Sequence, residues 1–348
     1  MPPAVQVPLA ANIFLHDAEV ALEKRQLDAA LQAFDAAEQN GAAPDRCAAG
    51  RWTAWMLKGD FAAAWLESDA IRARGGHDPH RFWQRESVDG KRLIVRCLHG
   101  LGDAVQMLRY LPLLRARCSS VTLEVPPRLL PLTPLFAGVD EVVTWGEDAP
   151  EEPPSWDVQV EVMELPYLFR TAVEDLPVAE HYLSVPAAGL FVMAGPLPRV
   201  GVVWSASEWD VTRRLPVECL QQVLAVPGIE FWNLQGGPQH DPAGLPGIWN
   251  RMRDAAAFGD GLLPLAAVIA NMDLVLTVDT LAAHMAGAME RPAWVMLQHR
   301  ADWRWMHARG DSPWYPTLRL FRQPRQDDWS ALTTQMCEAL NQWKNQQQ

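Results

Sequence analysis

The sequence predicts an α/β protein in which two doubly wound, Rossmann-like lobes follow a short all-α segment. Three features indicate this fold class. The chain has an Ala-rich helical pattern without strand-like alternation up to Gly75, and after Gly90 it changes to short apolar runs that alternate with helical stretches. A second series of such runs begins after the Pro-rich stretch 186–198. Strands that alternate with helices and Gly-containing turns are typical of open parallel sheets.

The all-α segment contains an internal repeat. Three pairs of apolar positions are each 34 residues apart: Leu27 and Phe61, Ala30 and Ala64, and Leu31 and Trp65. This is the period of the tetratricopeptide helix-turn-helix unit, and the chain from about Ala18 to Gly75 resembles one complete repeat and part of a second. Since about three units are needed to stand alone, we expect this segment to dock on the following domain. Its concave side either holds a partner protein, or the segment is only a packed extension.

Four strands are predicted in each lobe from the apolar runs. They are 93–95, 121–125, 141–145 and 158–162 in the first lobe, and 199–204, 229–234, 274–278 and 293–297 in the second. The predicted domains are a tetratricopeptide-like domain at 1–88, the first lobe at 89–190 and the second lobe at 191–348. The last helix is expected to pack either on the second lobe or back on the first lobe. A cleft between two such lobes is the expected place for a ligand.

Charge and composition exclude several classes of protein. Lys and Arg number 30 against 42 Asp and Glu, and the net charge of −12 disfavours nucleic acid as a partner. The five cysteines are far apart and form no CxxC pair, which fits a reducing cytoplasm. No apolar run approaches the roughly 18 residues of a membrane span. We therefore expect an unprocessed protein without a transmembrane segment, either cytoplasmic or peripheral to the inner membrane.

The sharpest site signal follows the third strand of the second lobe. A buried strand ends at Val278, and Asp279-Thr280 opens a helix of small residues. Free N–H groups and the positive helix end then face the carboxyl edge of the sheet, which predicts a phosphate site. His284 lies about one helical turn from Thr280, on the same face. The alternative is that Asp279 or Thr280 is only an N-cap.

A second candidate site follows the first strand of the first lobe, where Gly102-Asp103 leads into a Leu-rich helix. A carboxylate at this edge can act as a general base and take the proton of a substrate hydroxyl. Gln106, one turn further on, is placed to orient such a hydroxyl. The alternatives are that Asp103 caps the helix and that Gln106 is a surface residue.

Two further loops lie at the same edge of the second sheet. The loop after its first strand contains Trp204-Ser205 and the pair Arg213-Arg214, either of which is a candidate cation for a phosphate group. A structural salt bridge is the alternative role of these arginines. Gln235, in a Gly-containing turn after the next strand, is a candidate contact to a nucleotide base or ribose.

Other patterns carry less weight. The aromatic residues at 302–305 and 314–315 either frame a cleft for stacking or belong to the core. His77-x-x-His80 has no third ligand beside it, so we expect no metal site. No GxSxG elbow or Walker-type sequence occurs, and a serine hydrolase and a P-loop NTPase lose their main support.

The second-lobe strand, its D-T-x-x-x-H spacing and the small residues that follow resemble the donor-binding signature of glycosyltransferase family 9, the lipopolysaccharide heptosyltransferases. The chain resembles still more closely a subgroup in which tetratricopeptide repeats precede a family 9-like region. The shared features are Gly102-Asp103 with Gln106, Arg109-Tyr110 and Pro112; Gly201 to Trp204; Asp279-Thr280 with His284; and the stretches 302–305, 312–316 and 320–323. The resemblance spans nearly the whole chain.

This resemblance implies a bacterial GT-B protein that binds the diphosphate of a nucleotide-sugar at Asp279, Thr280 and His284. It implies Asp103 as the general base and inversion at the anomeric carbon. Two departures stand out. The residue after the Thr is commonly small in the family but is Leu281 here, and the loop 205–210 lacks the Gly- and Asn-rich pattern of relatives.

The sequence therefore favours metal-independent transfer of a sugar from a nucleotide diphosphate to a hydroxyl acceptor, which is a glycan, a lipopolysaccharide-type glycan or a protein. No cofactor besides the donor is expected. The alternative, motivated by Leu281 and the altered loop, is a non-catalytic scaffold that keeps the fold and holds a partner on its repeats. A third hypothesis is glycosylation of a protein docked on the repeats, for which fold-level analogy is the only support.

Overall fold

The computed structural model describes residues 8–76, 83–146, 149, 154–177, 182–185, 195–206, 210–236 and 247–347. The chain divides into two compact units. The helical unit comprises Met1–Gln84, Pro166–Leu176 and Arg300–Arg309, and the α/β unit comprises Arg85–Leu165, Pro177–His299 and Gly310–Gln348. The candidate metal pattern His77-x-x-His80 lies outside the described residues.

The helical unit begins with two antiparallel helix pairs. The helices are α1 (Leu9–Glu23), α2 (Leu27–Gln39), α3 (Pro44–Lys58) and α4 (Phe61–Ala73). The 34-residue spacing relates α2 to α4, since Leu27 and Phe61 open these helices and both are buried. Two complete helix pairs are present, whereas the sequence predicted one repeat and part of a second, because α1 begins at Leu9 rather than near Ala18. That these pairs are tetratricopeptide repeats stays a prediction.

Two later segments complete the helical unit. The indole of Trp65 donates its Nε1–H to the carbonyl of Thr171 at 2.9 Å, and its ring contacts Tyr167 edge-on. From the other segment, the ring of Trp303 packs edge-on against Trp52 and Phe61 at centroid distances of 6.0 and 5.9 Å. Two helix pairs expose too much apolar surface to be stable alone, and these segments cover part of it.

The first sheet of the α/β unit has four strands among the described residues. They are β1 (Arg92–Arg96), β2 (Ser120–Val125), β3 (Glu141–Thr144) and β4 (Val158–Glu161), all parallel and in the order β3-β2-β1-β4. Among the described residues, the helices of this lobe are α5 (Leu101–Met107) and α6 (Leu111–Arg115), with 3₁₀ turns at Leu108–Tyr110, Pro127–Leu135 and Val162–Glu164. The short helix α7 (Leu165–Leu168) follows and lies in the helical unit from Pro166 onward. The four predicted strands are confirmed, and the strand order reverses between β1 and β4.

In the part of the chain that the structure describes, the second sheet has six parallel strands. They are β5 (Arg199–Val203), β6 (Glu230–Asn233), β7 (Arg253–Asp254), β8 (Leu274–Val278), β9 (Ala293–Leu297) and β10 (Leu318–Arg322). Their order, β7-β6-β5-β8-β9-β10, is the 3-2-1-4-5-6 order of the doubly wound nucleotide-binding fold. The predicted α/β class with two Rossmann-like lobes is confirmed. The topological switch point, where such folds bind ligands, lies between β5 and β8.

Within the described residues, four helices belong to the second lobe: α8 (Val217–Leu224), α9 (Leu262–Ala270), α10 (Leu281–Ala288) and α11 (Trp329–Gln346). The last helix packs its buried face, including Leu332 and Met336, into the same core as Leu220 of α8 and Phe321 of β10. The sequence also allowed α11 to pack back on the first lobe, but these contacts lie in the second lobe. Amphipathic spacing alone does not tell a helix which of two apolar surfaces it will cover.

Candidate functional site

The start of α10 lies at the carboxyl edge of the second sheet, as predicted, and β8, which leads into it, borders the switch point between β5 and β8. β8 is buried at every position and ends at Val278, where Asp279 is 7% exposed. Thr280 is the N-cap of α10, because its hydroxyl oxygen accepts the N–H of Ala282 at 3.2 Å. A second hydroxyl, that of Thr277, lies 2.8 Å from the Thr280 oxygen and fixes its rotamer. The N-cap alternative therefore holds for Thr280, whose hydroxyl and carbonyl oxygens accept the N–H groups of Ala282 and Ala283. The positive end of the helix is still favourable for an anion.

Arg213 is held between two carboxylates in front of this helix. Its Nε lies 3.0 Å from Oδ2 of Asp210, and its Nη1 lies 3.5 Å from Oδ2 of Asp279. Burial raises the pKa of Asp210, but hydrogen bonds from Thr212 and Arg213 outweigh this effect, so the pKa of that carboxyl falls below its ordinary value. The predicted salt-bridge alternative is thus present for Arg213. A diphosphate here would compete with Asp279 for the same guanidinium.

The loop after β5 is tied to the end of β6. Oε1 of Gln235 accepts the backbone N–H groups of Trp204 and Ser205 at 3.1 and 2.9 Å. The side chain of Trp204 is 3% exposed and belongs to the hydrophobic core of the lobe. The two residues therefore stabilise the conformation of the loop: the indole of Trp204 packs in the core, and the amide oxygen of Gln235 binds the loop backbone. Arg214 is exposed and donates its Nε–H to the Ser205 hydroxyl at 3.2 Å, which places this cation at the site edge.

The predicted acceptor side is the turn between β1 and α5. Asp103 lies in the first turn of α5, and its Oδ2 accepts the N–H of Gly100 at 2.9 Å. The cap alternative is therefore present in the geometry, because this bond satisfies a backbone donor at the helix start. The Asp103 side chain is half-buried. Gln106 is fully buried, so the alternative that it is a surface residue is wrong.

The two predicted turns meet where α5 packs on α10. A Cβ atom placed on Gly102 would lie 2.7 Å from Cδ2 of His284 and 3.6 Å from the Cα of Leu281. The imidazole of His284 is 3% exposed, and its Nδ1 lies 3.0 Å from the Tyr315 hydroxyl. The buried imidazole of His284 therefore packs between α5 of the first lobe, at Gly102, and Tyr315 of the second lobe. Leu281, the departure from the family pattern, borders Gly102 at this contact.

Arg109, Gly287 and Tyr315 extend this contact, and with Gly102 and His284 they form what we call the lobe interface. A Cβ on Gly287 would lie 2.3 Å from the Tyr315 ring. The Arg109 guanidinium is buried, stacks 4.7 Å from the same ring, and donates to the Trp314 carbonyl at 2.8 Å. Burial raises the pKa of the Tyr315 phenol well above its usual value, so this group stays neutral.

The aromatic residues proposed to frame the cleft are packing residues instead. Trp305 is fully buried and belongs with Trp303 to the helical unit, whereas Trp314 and Tyr315 are 2% and 1% exposed in the α/β unit. The core alternative is therefore confirmed for these side chains. Regular aromatic spacing does not distinguish a stacking surface from a core, since both are apolar.

One pair of residues at the first sheet edge was missed by the sequence analysis. Nδ1 of His99 lies 2.9 Å from Oε1 of Glu161, which is fully buried, while the His99 side chain is 43% exposed. The two residues are brought together because β1 and β4 are neighbours and Arg96 is in register with Glu161. The sequence contained one indication of this pair. Glu161 interrupts the apolar run 158–162, and a charged side chain in a buried strand needs a partner.

Cys97, at the end of β1, is not a nucleophile in this arrangement. Burial, with the charges of Glu161 and Glu124 adding to it, raises the pKa of the Cys97 thiol well above its usual range. The five cysteines are free, and four of them are buried, as expected for core positions. Within the described parts of the chain, no group of three His, Cys, Asp or Glu side chains is arranged to hold a metal ion. Nor does any described helix have the length and apolar character needed to cross a bilayer.

The contact between Gly102 and His284 yields a first prediction. Gly102→Ala is expected to lower the free energy of unfolding by about 1–3 kcal/mol, because the new methyl overpacks the imidazole. Urea denaturation of the variant measures this loss. In the double variant Gly102→Ala/His284→Ala the penalty should shrink, since the ring that the methyl meets is gone. Additive losses would contradict the contact.

Comparison with solved structures identifies the fold. The family 9 glycosyltransferase of Veillonella parvula superposes with a TM-score of 0.51 at 14% identity, over 72% of this chain and 90% of that chain. The Escherichia coli ADP-heptose lipopolysaccharide heptosyltransferase II superposes with a TM-score of 0.53 at 15% identity, over 74% of this chain and 99% of that chain. The α/β lobes have the GT-B fold of family 9 glycosyltransferases. At these identities the likeness concerns the fold.

Sequence comparison adds one relative. Protein FlbA of Caulobacter vibrioides is 24% identical over 363 residues, which cover 92% of this chain and 59% of that protein. The chain thus spans about three fifths of the length of this relative. No family model matches the sequence.

Proposed function

We propose that this protein is a glycosyltransferase that moves a sugar from a nucleotide-diphosphate donor to a hydroxyl acceptor. The observation that carries the proposal is the contact of the two sequence-predicted turns. Gly102, next to the predicted base Asp103, lies against Leu281 and His284 at the start of α10. A donor phosphate at that helix end and a hydroxyl near Asp103 would therefore be neighbours, as transfer requires.

The donor would lie over the switch point between β5 and β8. The positive end of the α10 dipole would face the phosphates, and Thr280 fixes the helix start through its hydroxyl. Arg214, exposed at the edge, is the cation best placed to approach the departing diphosphate, whereas Arg213 shares its charge with Asp210 and Asp279. In this proposal no metal is needed, and the reaction proceeds with inversion.

The acceptor side is the first lobe. Asp103 is the residue that the family resemblance nominates as base, and the acceptor class is a glycan, a lipopolysaccharide-type glycan or a protein. The relative named heptosyltransferase II acts with ADP-heptose. We propose donors of the same chemical class for this chain, namely sugars joined to a nucleoside diphosphate.

Calorimetric titration with nucleotide-sugars tests the proposal. ADP-, UDP-, GDP- and dTDP-linked hexoses and ADP-linked heptose are titrated separately, and micromolar to millimolar binding of at least one is expected. Thr280→Ala should weaken that binding about fivefold, because loss of the cap costs the helix start about 1 kcal/mol. Thr334→Ala, on the exposed face of α11, is the matched control. Absence of binding of every donor at millimolar concentration would contradict the proposal.

A non-catalytic scaffold is the second candidate, and the charge balance at Arg213 favours it. Asp210 and Asp279 already neutralise this guanidinium. Leu281 also departs from the small residue that the family resemblance implies at this position. If the protein is a scaffold, a partner protein should bind the helical unit with the same affinity in the wild-type chain and in the Asp103→Ala variant. An enzyme would instead lose transfer in that variant and keep donor affinity. Measuring donor affinity and donor consumption side by side separates the two.

A further inference from the structure

We propose that Arg109 is a positioning residue for the transfer step, because it fixes the helix that carries Asp103 to the second lobe. This inference rests on the proposed function and deepens it. Arg109 lies in the 3₁₀ turn Leu108–Tyr110, which directly follows α5, whereas Asp103 lies in the first turn of that helix. The base that the family resemblance implies is therefore at one end of α5, and the guanidinium is just beyond the other end.

The Arg109 guanidinium is buried and has no carboxylate partner among the residues that the structure describes. Its Nε donates to the carbonyl of Gln106, in the last turn of α5, at 2.9 Å. Its Nη1 donates to the carbonyl of Trp314, in the second lobe, at 2.8 Å. A guanidinium stays charged in a protein, and its burial is costly unless its N–H groups find acceptors. The two carbonyl bonds supply them, and they join the end of α5 to the second lobe.

Three aromatic rings contact the same guanidinium. Its Cζ lies 4.7 Å from the ring centroid of Tyr315, 5.1 Å from that of Tyr182 and 5.3 Å from that of Trp314. Cation–π contacts of this kind are strongest where water is excluded. A planar guanidinium can stack on rings while it donates to carbonyls in its own plane, whereas a lysine ammonium keeps the charge but cannot do both. The position therefore requires arginine and not only a positive charge.

These contacts attach α5 to α10 at a second point. At the start of α5, Gly102 packs against the imidazole of His284. Beyond its end, Arg109 stacks on the ring of Tyr315, whose hydroxyl lies 3.0 Å from Nδ1 of the same imidazole. One contact would leave α5 free to turn about it, whereas two contacts fix its direction. Asp103 is thereby held at a set distance from the start of α10, where the donor phosphates are expected.

The transfer step depends on this distance. The acceptor oxygen bonds to the anomeric carbon, the bond from that carbon to the diphosphate oxygen breaks with its electron pair, and the hydroxyl proton passes to Asp103. A misplacement of about 1 Å in such an arrangement costs about 100-fold in rate. Arg109 touches none of the reacting atoms, and the donor binds to the second lobe. Loss of its contacts should therefore lower the rate and leave donor affinity unchanged.

Arg109→Lys tests this role in the hydrolysis of the donor that binds in the titration panel, with water in place of the acceptor hydroxyl. The rate per donor-binding molecule, counted by calorimetric stoichiometry, should fall about 10- to 100-fold at the donor affinity of the wild-type chain. Arg115→Lys is the matched control, because Arg115 is an exposed arginine of α6 that pairs with Asp140. A purely structural role would reduce the number of binding molecules and keep the rate of each, and that result would overturn the proposal.

A double-mutant cycle tests whether Arg109 acts through Asp103. In the Asp103→Ala chain, Arg109→Lys should cause little further loss of rate, because the placement of an absent base no longer matters. Rate losses that multiply in the double variant would contradict this role.

Hydrogen exchange tests the attachment without turnover. The amides of α10 should exchange faster in Arg109→Met than in the wild-type chain or in the control Arg115→Met, because the end of α5 is released from the second lobe. Exchange at the wild-type rate in Arg109→Met would show that the guanidinium does not hold the two helices together. A wild-type chain that neither binds nor hydrolyses any donor would overturn the proposed function itself, and the exchange rates would still decide whether Arg109 attaches α5 to α10.

Discussion

Gly287→Val is expected to destabilise the α/β unit by at least about 3 kcal/mol, because the new side chain would enter the space of a fully buried ring. The position of a Cβ on Gly287 is 2.3 Å from Cδ1 of Tyr315. That ring cannot move cheaply, since its hydroxyl is bonded to Nδ1 of His284 and its face carries the Arg109 guanidinium. The variant should therefore also lose donor binding, because α10, which begins at the donor site, must shift.

Urea denaturation followed by fluorescence gives the stability, and calorimetry with the best donor gives the affinity. Gly310→Val is the matched control, because a Cβ at that glycine meets no atom within 4 Å. A variant at Gly287 with the stability of this control would show that the lobe interface is loosely packed. Stability lost with donor affinity intact would separate the interface from the donor site.

The strands were predictable from sequence where burial is complete. Leu274–Val278 and Ala293–Leu297 are buried at every position, and a parallel strand covered on both faces reads as an uninterrupted apolar run. β10 was missed because Arg319 and Arg322 interrupt its apolar residues at the sheet edge. β7 has only two residues, too few for any periodicity.

The candidate site was predictable only in part. The sequence located Thr280 and Asp103 because each follows a strand, and strand ends in a parallel sheet share an edge. It did not reveal the pairing of His99 with Glu161, which lie far apart in the chain and meet because β1 and β4 are neighbours. The partners of Arg213 were hidden for the same reason, since Asp279 follows a different strand.

Trp303→Ala is expected to destabilise the helical unit by about 3 kcal/mol, since truncation of a large aromatic side chain leaves a cavity. The ring packs edge-on against Trp52 of α3 and Phe61 of α4, and such pairs add about 0.5–1.5 kcal/mol beyond their buried area. Next to it, the N–H of His307 donates to the Leu57 carbonyl at the end of α3. Loss of the ring should loosen this whole segment.

Limited proteolysis within α3 and α4, together with the urea dependence of helical circular dichroism, measures the effect. Leu66→Ala is the control in the same unit, because Leu66 is 68% exposed on α4 and its truncation should change the stability little. If Trp303→Ala behaved like this control, the two helix pairs would be stable without the segment Arg300–Arg309. They would then be a self-sufficient surface for a partner, as the scaffold alternative requires. If only the helical unit is destabilised, the two helix pairs depend on the segment Arg300–Arg309, which lies between two parts of the α/β unit in the sequence. The reason would be that two helix pairs bury too little apolar surface on their own.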